Sequence, residues 1–540
     1  MPRADRLGLT AEIARRRTFA IISHPDAGKT TLTEKLLLFG GAVREAGAVR
    51  ARRGARATTS DWMEFEQLRG ISITSTVIQF EYDDGVVCNL LDTPGHADFG
   101  EDTYGTLCAA DTAIMVIDAA KGLEPQTLKL LRICRTRKLP IITFVNKFDR
   151  PALPALELLD QLAAETGLVP VPVTWPVGDG NRFAGVIDRQ GPEFIRLERT
   201  AHGTTAGAER RFPVADAAPP GVARECWSAA LEELALLDTT VKGLDHAKFF
   251  AGHQSPVFFG SALANFGVRR MLQALNELAP SPLPFTGVVD SRPRPLDADF
   301  SAFVFKIQAN MNPRHRDRVA FLRVCSGSVE RGLRTTVART GRPLQLTFLQ
   351  RPFGQERATI ERAVAGDVVA VTNARGLRIG DTVYSGEPVS FPPLPSFAPE
   401  RFAIARNSDI ARDKQFRRGL AEMAMQGVVQ VLLRPEVGMR EPILAAVGEL
   451  QFEVAAFRMA REFGCQIELT PAQWKRACPI DQDNTPKLRG RWGIDLVEDS
   501  DGHPVALFLS ERAMDATAEE FPELELPRSR DYESAPRPKH

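Results

Sequence analysis

One stretch of this chain reads, from residue 23 to residue 30, Ser23-His24-Pro25-Asp26-Ala27-Gly28-Lys29-Thr30. The apolar run before it, Phe19 to Ile22, predicts a short buried strand, and Thr30 to Leu38 predicts a helix. Such a loop directs backbone N–H groups at phosphate oxygens. Lys29 would bridge the terminal phosphates, and the Thr30 hydroxyl would bind Mg²⁺. The stretch predicts a phosphate-binding loop, with Ser23 where the general pattern has glycine. A chance Gly-Lys-Thr at a helix start is the alternative.

A second motif, Asp92-Thr93-Pro94-Gly95-His96, directly follows a predicted strand, Val86 to Leu91. An Asp at a strand end can hold Mg²⁺ through water, and this is the role we predict for Asp92. Gly95 leaves a backbone N–H free to approach a γ-phosphate. A lone histidine is more often structural, but the position of His96 beside Gly95 favours a catalytic role in orienting the attacking water.

Two further motifs predict recognition of the base. Asn146-Lys147-Phe148-Asp149 follows the predicted strand Ile141 to Val145, and Ser261-Ala262-Leu263 follows Val257 to Phe259. The Asp149 carboxylate can accept two N–H bonds from guanine, which adenine cannot offer. The second motif can supply backbone contacts to the base. Four such motifs in this order, each after a strand, indicate a GTP-binding protein that resembles the P-loop GTPases.

Composition narrows the class of protein. The 540 residues carry 68 Lys+Arg and 68 Asp+Glu, so strong overall attraction to nucleic acid is not expected and any RNA contact would use local patches. The seven cysteines form no Cys-x-x-Cys pair, which favours a reducing compartment. We find no signal-type N-terminus and no apolar run near the roughly 20 residues of a membrane helix. We therefore expect a cytoplasmic protein with no membrane or DNA partner.

The pattern along the chain predicts three folded parts. Strand and helix signals alternate through residues 1–278, which indicates an α/β sheet with helices on both faces. Proline-rich stretches then separate a β-rich segment, 296–387, which predicts a small antiparallel barrel. Residues 400–515 follow the order β-α-β-β-α-β, typical of a ferredoxin-like split βαβ domain. Residues 516–540, rich in Glu and Pro, predict a partly disordered tail.

Within the P-loop GTPases, the chain resembles the translational GTPases. Arg69 to Thr74 is similar to their effector loop, with Ser72 where threonine is usual, so the resemblance implies that the Ser72 hydroxyl binds Mg²⁺. His96 is similar to their catalytic histidine. Longer blocks resemble the peptide chain release factor 3 family, and they are Arg15 to Asp26, Ser60 to Glu64, Thr174 to Gly178 and Phe303 to Arg323.

This resemblance implies a ribosome-stimulated GTPase that binds GTP or GDP with Mg²⁺. Its expected partners are the ribosome, through rRNA and ribosomal proteins, and the class I release factors that it would eject after peptide release. Three alternatives remain open at this point. They are an elongation factor G-like translocase or ribosome-protection factor, a GTP-dependent binding switch without useful hydrolysis, and a metabolic P-loop kinase. The chain ends soon after the split βαβ pattern, without the tRNA-mimicking domain of a translocase, and Asn146 to Asp149 opposes the kinase.

Two basic clusters are candidate RNA contacts. Arg44 to Arg56 holds five arginines and precedes Ser72, so it should belong to the first switch. Arg314-His315-Arg316-Asp317-Arg318 should form a turn between two barrel strands, where arginines suit phosphate contact. A solvated loop is the alternative for both. No function is predicted for residues 181–255.

Overall fold

The computed structural model describes residues 3–42, 74–82, 85–96, 98, 100–197, 209–288, 291–309, 318–353, 356–372, 376–394, 398–524 and 526. Its first part alternates strands and helices. In chain order these are α1 (Arg3–Ala14), β1 (Arg16–Ser23), α2 (Lys29–Phe39), β2 (Thr76–Tyr82), β3 (Val86–Asp92), α3 (Gly100–Ala109), β4 (Thr112–Asp118), α4 (Pro125–Thr136), β5 (Ile141–Asn146), α5 (Ala155–Thr166), β6 (Val169–Pro172), β7 (Thr174–Val177), β8 (Gly185–Asp188), β9 (Glu193–Leu197), β10 (Glu209–Pro213), α6 (Arg224–Thr240), α7 (His246–Phe250), β11 (Gln254–Phe259) and α8 (Val268–Leu278).

A parallel sheet forms the centre of this part. β1 lies between β3 and β4, and β5, β11 and β6 follow outward from β4, each parallel to its neighbour. Alternate residues of β1 enter different cores, since Phe19 and Ile21 pack in one apolar cluster and Ala20 and Ile22 in another. Because parallel strands end at the same sheet edge, the residues after β1, β3 and β5 converge there. The predicted doubly covered α/β sheet is confirmed.

Strands β7, β8, β9 and β10 form a separate four-stranded antiparallel sheet in the order β10-β9-β8-β7. Its core is aromatic, with Trp227 of α6 packed edge-on against Phe194 at 5.3 Å between ring centroids. The sheet adjoins the nucleotide-side loops because the Gly180 N–H donates to the Phe148 carbonyl at 2.8 Å. Sequence reasoning assigned no function to most of this insertion.

The predicted barrel is confirmed as an antiparallel β structure, with β2 pairing across to β17. Its strands are β12 (Ser301–Ala309), β13 (Arg318–Ser326), β14 (Ser328–Glu330), β15 (Leu333–Val337), β16 (Pro343–Leu346), β17 (Leu349–Phe353), β18 (Glu356–Thr359), β19 (Arg362–Val364), β20 (Val368–Thr372) and β21 (Thr382–Tyr384). A buried ion pair also fixes the barrel to the GTPase part, since the Arg323 guanidinium lies 2.5 Å from the Asp111 carboxylate. Such a pair specifies the docking geometry more than it adds stability.

The C-terminal lobe, which we define as residues 398–524, contains two sheets. The first comprises β22 (Arg401–Asn407), α9 (Asp413–Met425), β23 (Gln430–Leu432), β24 (Ile443–Ala446), α10 (Glu449–Phe463) and β25 (Ile467–Pro471). Its strand order, β23-β24-β22-β25, is that of the predicted split βαβ arrangement. The second sheet was not predicted and contains β26 (Arg476–Pro479), α11 (Thr485–Leu488), β27 (Ile494–Glu498), β28 (Pro504–Phe508) and α12 (Glu511–Glu520).

Several of the predicted residues lie outside the part of the chain that the structure describes. Among them are Ser72, the Arg44 to Arg56 segment and positions 314–317 of the second basic cluster. Arg318 begins β13 and contacts Glu422 of the C-terminal lobe at 3.1 Å. Helix α12 runs to Glu520, beyond the expected start of the tail. The domain boundaries remain predictions. Within the described ranges, no helix is long and apolar enough to cross a membrane.

Candidate nucleotide-binding site

Both the backbone conformation and a close neighbour favour glycine at position 28, in the loop between β1 and α2. Gly28 has a left-handed φ of 96°, and a Cβ there would lie 2.3 Å from the Asn146 Nδ2 atom. Because Gly28 directly precedes Lys29, the first amides of α2 face the loop. The predicted phosphate loop therefore has the backbone geometry of an anion site.

Asn146 joins three of the four predicted motifs. Its side-chain Nδ2 donates to the Ala27 carbonyl at 2.9 Å, and its Oδ1 accepts from the Ala262 N–H at 2.8 Å. The same oxygen accepts from the Lys147 N–H at 2.9 Å. The amide is buried, so these bonds are protected from water and hold the loops in one arrangement.

Lys29 and Asp92 meet at the carboxyl edge of the sheet. The Lys29 ammonium lies 2.6 Å from the Asp92 Oδ1 atom, and both side chains are buried. Thr30 follows in the first turn of α2 and is half-buried. Lys29 and Asp92 therefore meet at one point, with Thr30 next in the chain, and a hydroxyl with a carboxylate is a donor set that suits Mg²⁺.

The second motif lies against the phosphate loop. The Thr93 hydroxyl donates to the Ile21 carbonyl at 2.6 Å, which fixes the start of the motif on β1. Pro94 is buried, and the Cβ position of Gly95 lies 3.5 Å from the Pro25 Cα. His96, the next residue, therefore lies beside the phosphate loop.

His96 has a partner that sequence reasoning missed. Its Nδ1 lies 3.3 Å from the Asp98 Oδ1 and accepts from the Asp98 backbone N–H at 3.4 Å. The contact with the carboxylate raises the pKa of the imidazole, although partial burial opposes it. Burial opposes ionisation of Asp98 too, but hydrogen bonds with His96 and Leu450 lower the pKa of the carboxyl. The sequence signal was a carboxylate two positions after the histidine.

The third motif, Asn146 to Asp149, is held in place by Asp118, which was not among the predicted site residues. Lys147 has a φ of 73°, and its ammonium donates to the Asp118 Oδ2 at 2.8 Å. Phe148 is buried against Phe259, with ring centroids 5.5 Å apart, so its side chain serves packing. Asp149 follows as a half-exposed carboxylate. Asp118 ends β4 at the same sheet edge, and that position was the available signal.

The remaining predicted residues line the same region. Ser261 is buried, and its hydroxyl accepts from the Ala264 N–H at 3.2 Å, while Leu263 is 50% exposed. The His24 Nε2 lies 3.2 Å from Glu124. Among the described residues, the buried Ser23 Oγ and His24 Nδ1 have no hydrogen-bond partner, and Asp26 has a left-handed φ of 66°. These loop atoms suit a ligand that brings its own polar groups.

The end of the predicted effector loop is held by the barrel. The Ser75 N–H donates to Asp102 Oδ2, and the Lys306 ammonium donates to the Ser75 carbonyl, each at 2.5 Å. Lys306 also lies 3.2 Å from the Asp102 carboxylate. Ser75, the residue after the predicted effector loop, is therefore bonded to both α3 and the barrel.

Three family models match successive parts of the chain. The Elongation factor Tu GTP binding domain matches residues 14–281, and Elongation factor G domain 2 matches residues 299–386. The C-terminal domain of the class II release factor RF3 matches residues 391–518. A solved structure from Thermus thermophilus aligns with a TM-score of 0.69 and 25% identity, covering 91% of this chain and 72% of that one.

Curated relatives align over almost the full length. Peptide chain release factor 3 of Cyanothece sp. is 48% identical over 530 residues, which cover 96% of each chain. The protein of that name from Symbiobacterium thermophilum is 48% identical over 519 residues, covering 96% of this chain and 98% of its own. The chain therefore belongs to the peptide chain release factor 3 family, and it is a translational GTPase that binds and hydrolyses GTP in the termination of protein synthesis.

Proposed function

We propose that GTP binding by this chain on the ribosome ejects a class I release factor after peptide release, and that hydrolysis then frees the chain itself. One observation carries the proposal. The segment 92–98 lies on the phosphate loop through Gly95 and reaches the C-terminal lobe through Asp98, which accepts from the Leu450 N–H at 2.9 Å. A change at the phosphates therefore has a short path to another lobe. We also propose that the chain acts in the cytoplasm, where this activity would be needed.

We assign the phosphates to the loop amides of residues 23–28 and to Lys29. Thr30 and Ser72 would supply hydroxyl ligands to Mg²⁺, with Asp92 acting through water. When bound there, Mg²⁺ would neutralise charge on the β- and γ-phosphates. The contact between Lys29 and Asp92 supports this assignment, because it shows that residues from two motifs reach the same point.

We assign guanine to Asp149, with backbone support from Ser261, Ala262 and Leu263. Asn146 connects these loops to the phosphate loop, so the base and the phosphates would be read by one rigid frame. A frame that is already organised loses little conformational freedom when the nucleotide enters. Asp118 holds Lys147, the residue that turns the chain toward Asp149.

We assign the attacking water to His96. In phosphoryl transfer the protein contributes mainly positioning of the reactants and stabilisation of charge. An imidazole can hold a water molecule in line with the γ-phosphate. The Asp98 backbone N–H donates to Nδ1 at 3.4 Å when that nitrogen is unprotonated, and the Asp98 carboxylate, 3.3 Å away, accepts from it when it is protonated. Asp98 thus occupies Nδ1 in either state. The other ring nitrogen, Nε2, would then face the water.

GTP can drive ejection only if it binds one conformation of the chain more tightly than another. The groups that would sense the γ-phosphate are the Gly95 N–H and the segment that carries Ser72. Asp98, three positions after Gly95, contacts the C-terminal lobe, and Ser75, three positions after Ser72, contacts Lys306 of the barrel. Pinning or releasing these segments would change how the three parts are arranged.

The test uses terminated ribosomes that carry a fluorescently labelled class I release factor. The full chain is added with GTP, with a non-hydrolysable GTP analogue or with GDP, and dissociation of the label is followed. We expect ejection with GTP and with the analogue, and retention of the chain on the ribosome with the analogue alone. Lys29→Ala should eject nothing. Equal dissociation with GDP and GTP would contradict the proposal.

A further inference from the structure

The N-cap residue of helix α10 has no side chain with which to accept a hydrogen bond from the first turn. Its N-cap position is Gly448, which has no side chain, and the helix begins at Glu449. The Gln451 Oε1 accepts from the N–H groups of Val447 and Gly448, at 2.8 and 3.3 Å. The Leu450 N–H, in the first turn, would remain without a partner within the helix. It donates instead to the Asp98 Oδ2 at 2.9 Å, so the cap comes from the nucleotide site.

The fit between the two parts is close. A Cβ on Gly448 would lie 1.9 Å from the Asp98 Cγ and 2.0 and 2.2 Å from the two carboxylate oxygens. The backbone of Gly448 has a φ of −140° and a ψ of 168°, which any residue adopts. A side chain at position 448 would therefore displace the Asp98 carboxylate, whereas the backbone conformation there does not favour glycine.

The two oxygens of the Asp98 carboxylate serve different parts of the molecule. Oδ2 caps α10, and Oδ1 lies 3.3 Å from the His96 Nδ1. The N-terminus of a helix attracts negative charge, and the nearby charge of Arg401 in β22 also favours the ionised carboxylate. The imidazole of His96 is thus held by a group that is itself held by the C-terminal lobe.

We infer that Asp98 is a positioning residue through which docking of the C-terminal lobe sets the orientation of His96. The inference rests on the proposed catalytic role of His96. A docked lobe fixes the carboxylate, the carboxylate fixes the ring, and the ring is ready to orient water. When the lobe moves away, Leu450 and Gly448 leave Asp98, and the carboxylate beside the ring is no longer fixed. Hydrolysis is in this way tied to one arrangement of the lobes.

Other contacts show that the lobe does not need Asp98 simply to stay attached. Arg318 of the barrel lies 3.1 Å from Glu422, and Arg378 lies 2.6 Å from Asp501. Both pairs join the lobe to the barrel rather than to the segment 92–98. An interdomain cap with only a structural role would affect stability, whereas a positioning role affects the rate of the chemical step.

The experiment measures GTP hydrolysis by the full chain on ribosomes and obtains kcat and the KM for GTP separately. Asp98→Ala should lower kcat about a hundredfold and leave KM unchanged, since only orientation of the ring is lost. Gly448→Ala should lower kcat too, because its methyl group displaces the carboxylate without touching His96. Asp98→Asn keeps an oxygen for the Leu450 N–H, so its kcat should lie between those of the wild type and Asp98→Ala. This variant also guards against a folding defect in Asp98→Ala.

Matched variants complete the design. Gly191→Ala, at a glycine with open space around its Cβ position, and Asp501→Ala, which breaks the pair with Arg378, should keep the wild-type kcat. The double variant Asp98→Ala/Gly448→Ala should be no slower than Asp98→Ala, because both changes remove one interaction. A wild-type kcat in Asp98→Ala or in Gly448→Ala, or multiplicative losses in the double variant, would overturn the inference. A wild-type kcat in His96→Ala would instead overturn the proposed role of His96.

Discussion

The Lys29 ammonium and the Asp92 carboxylate form a buried ion pair at 2.6 Å, across two segments that lie 63 positions apart in the chain. Each side chain was predicted to serve the phosphates or the metal, on separate grounds. Their contact brings residues of the two motifs together at one point. It also has an energetic consequence, since removing either partner leaves the other charge buried and uncompensated.

Lys29→Ala should therefore abolish productive GTP binding and also destabilise the protein. Loss of a charged phosphate contact should weaken binding roughly 30-fold or more. Fluorescent GTP titration and thermal unfolding with and without GTP would measure both effects. Thr30→Ala should lose Mg²⁺-dependent binding but keep the ion pair and the wild-type melting temperature. Normal GTP titration by either variant would show that this loop is not the nucleotide site.

Gly28→Ala tests the frame built by Asn146. A methyl group at position 28 would collide with the Asn146 amide and break its bond to the Ala27 carbonyl. Gly41→Ala is the matched control, because Gly41 also has a positive φ, of 71°, but open space around it. Both variants carry about 1–2 kcal/mol of left-handed strain. Only Gly28→Ala should lose GTP affinity. Equal GTP affinities of the two variants would refute the role of the frame built by Asn146.

Asp149→Asn should shift preference from guanosine toward xanthosine nucleotides. The amide would present a donor to the guanine N1–H, whereas xanthine offers a carbonyl in place of the 2-amino group. We expect GTP affinity to fall roughly a hundredfold or more, as at other sites that leave a buried polar group unpaired. Competition titrations with GTP and XTP would measure the shift. Asp118→Ala removes the ion-pair partner of Lys147 and should weaken the binding of GTP and of XTP by the same factor. Unchanged GTP affinity in Asp149→Asn would exclude base reading.

The contact with Asp98 predicts the titration of His96. Its pKa lies above the usual histidine value because the Asp98 carboxylate stabilises the charged ring, so the ring stays protonated to a higher pH than a free histidine. Asp98→Ala should lower the pKa. This contribution to stability is present below the usual histidine pKa and is lost as pH rises through the raised value. NMR titration of the ring protons, assigned with His96→Ala, would test it, and an unchanged pKa in Asp98→Ala would contradict the contact.

Much of the fold could be predicted because its signals are local. The runs before Ser23, Asp92 and Asn146 are apolar, and each ends in a motif that requires a strand end. Helix α10, Glu449–Phe463, has the bounds that its periodicity predicts. The second C-terminal sheet was missed because β26 and β27 are only four and five residues long. Neither strand shows a clear alternation of apolar and polar residues.

The motifs of the site could also be predicted, but not the contacts between them. Asp118 and Asp98 gain their roles from Lys147 and from His96 and Leu450, and the last of these lies 352 positions from Asp98. No local pattern records such a pairing, because it depends on how whole lobes dock. Likewise, the sequence suggested a ligand role for Phe148, while the structure places its side chain in the core.

The most direct test of the account is a single-turnover assay with His96→Ala on terminated ribosomes that carry a labelled class I release factor. We propose that Lys29, Asp149 and the loop amides hold GTP, so the variant should bind GTP almost normally. A loss confined to the transition state lowers kcat and leaves affinity unchanged. We predict that His96→Ala ejects the release factor once and then remains on the ribosome with its GTP uncleaved. Repeated ejection at the wild-type rate would contradict the role of His96, and failure of the first ejection would show that hydrolysis, rather than GTP binding, drives release.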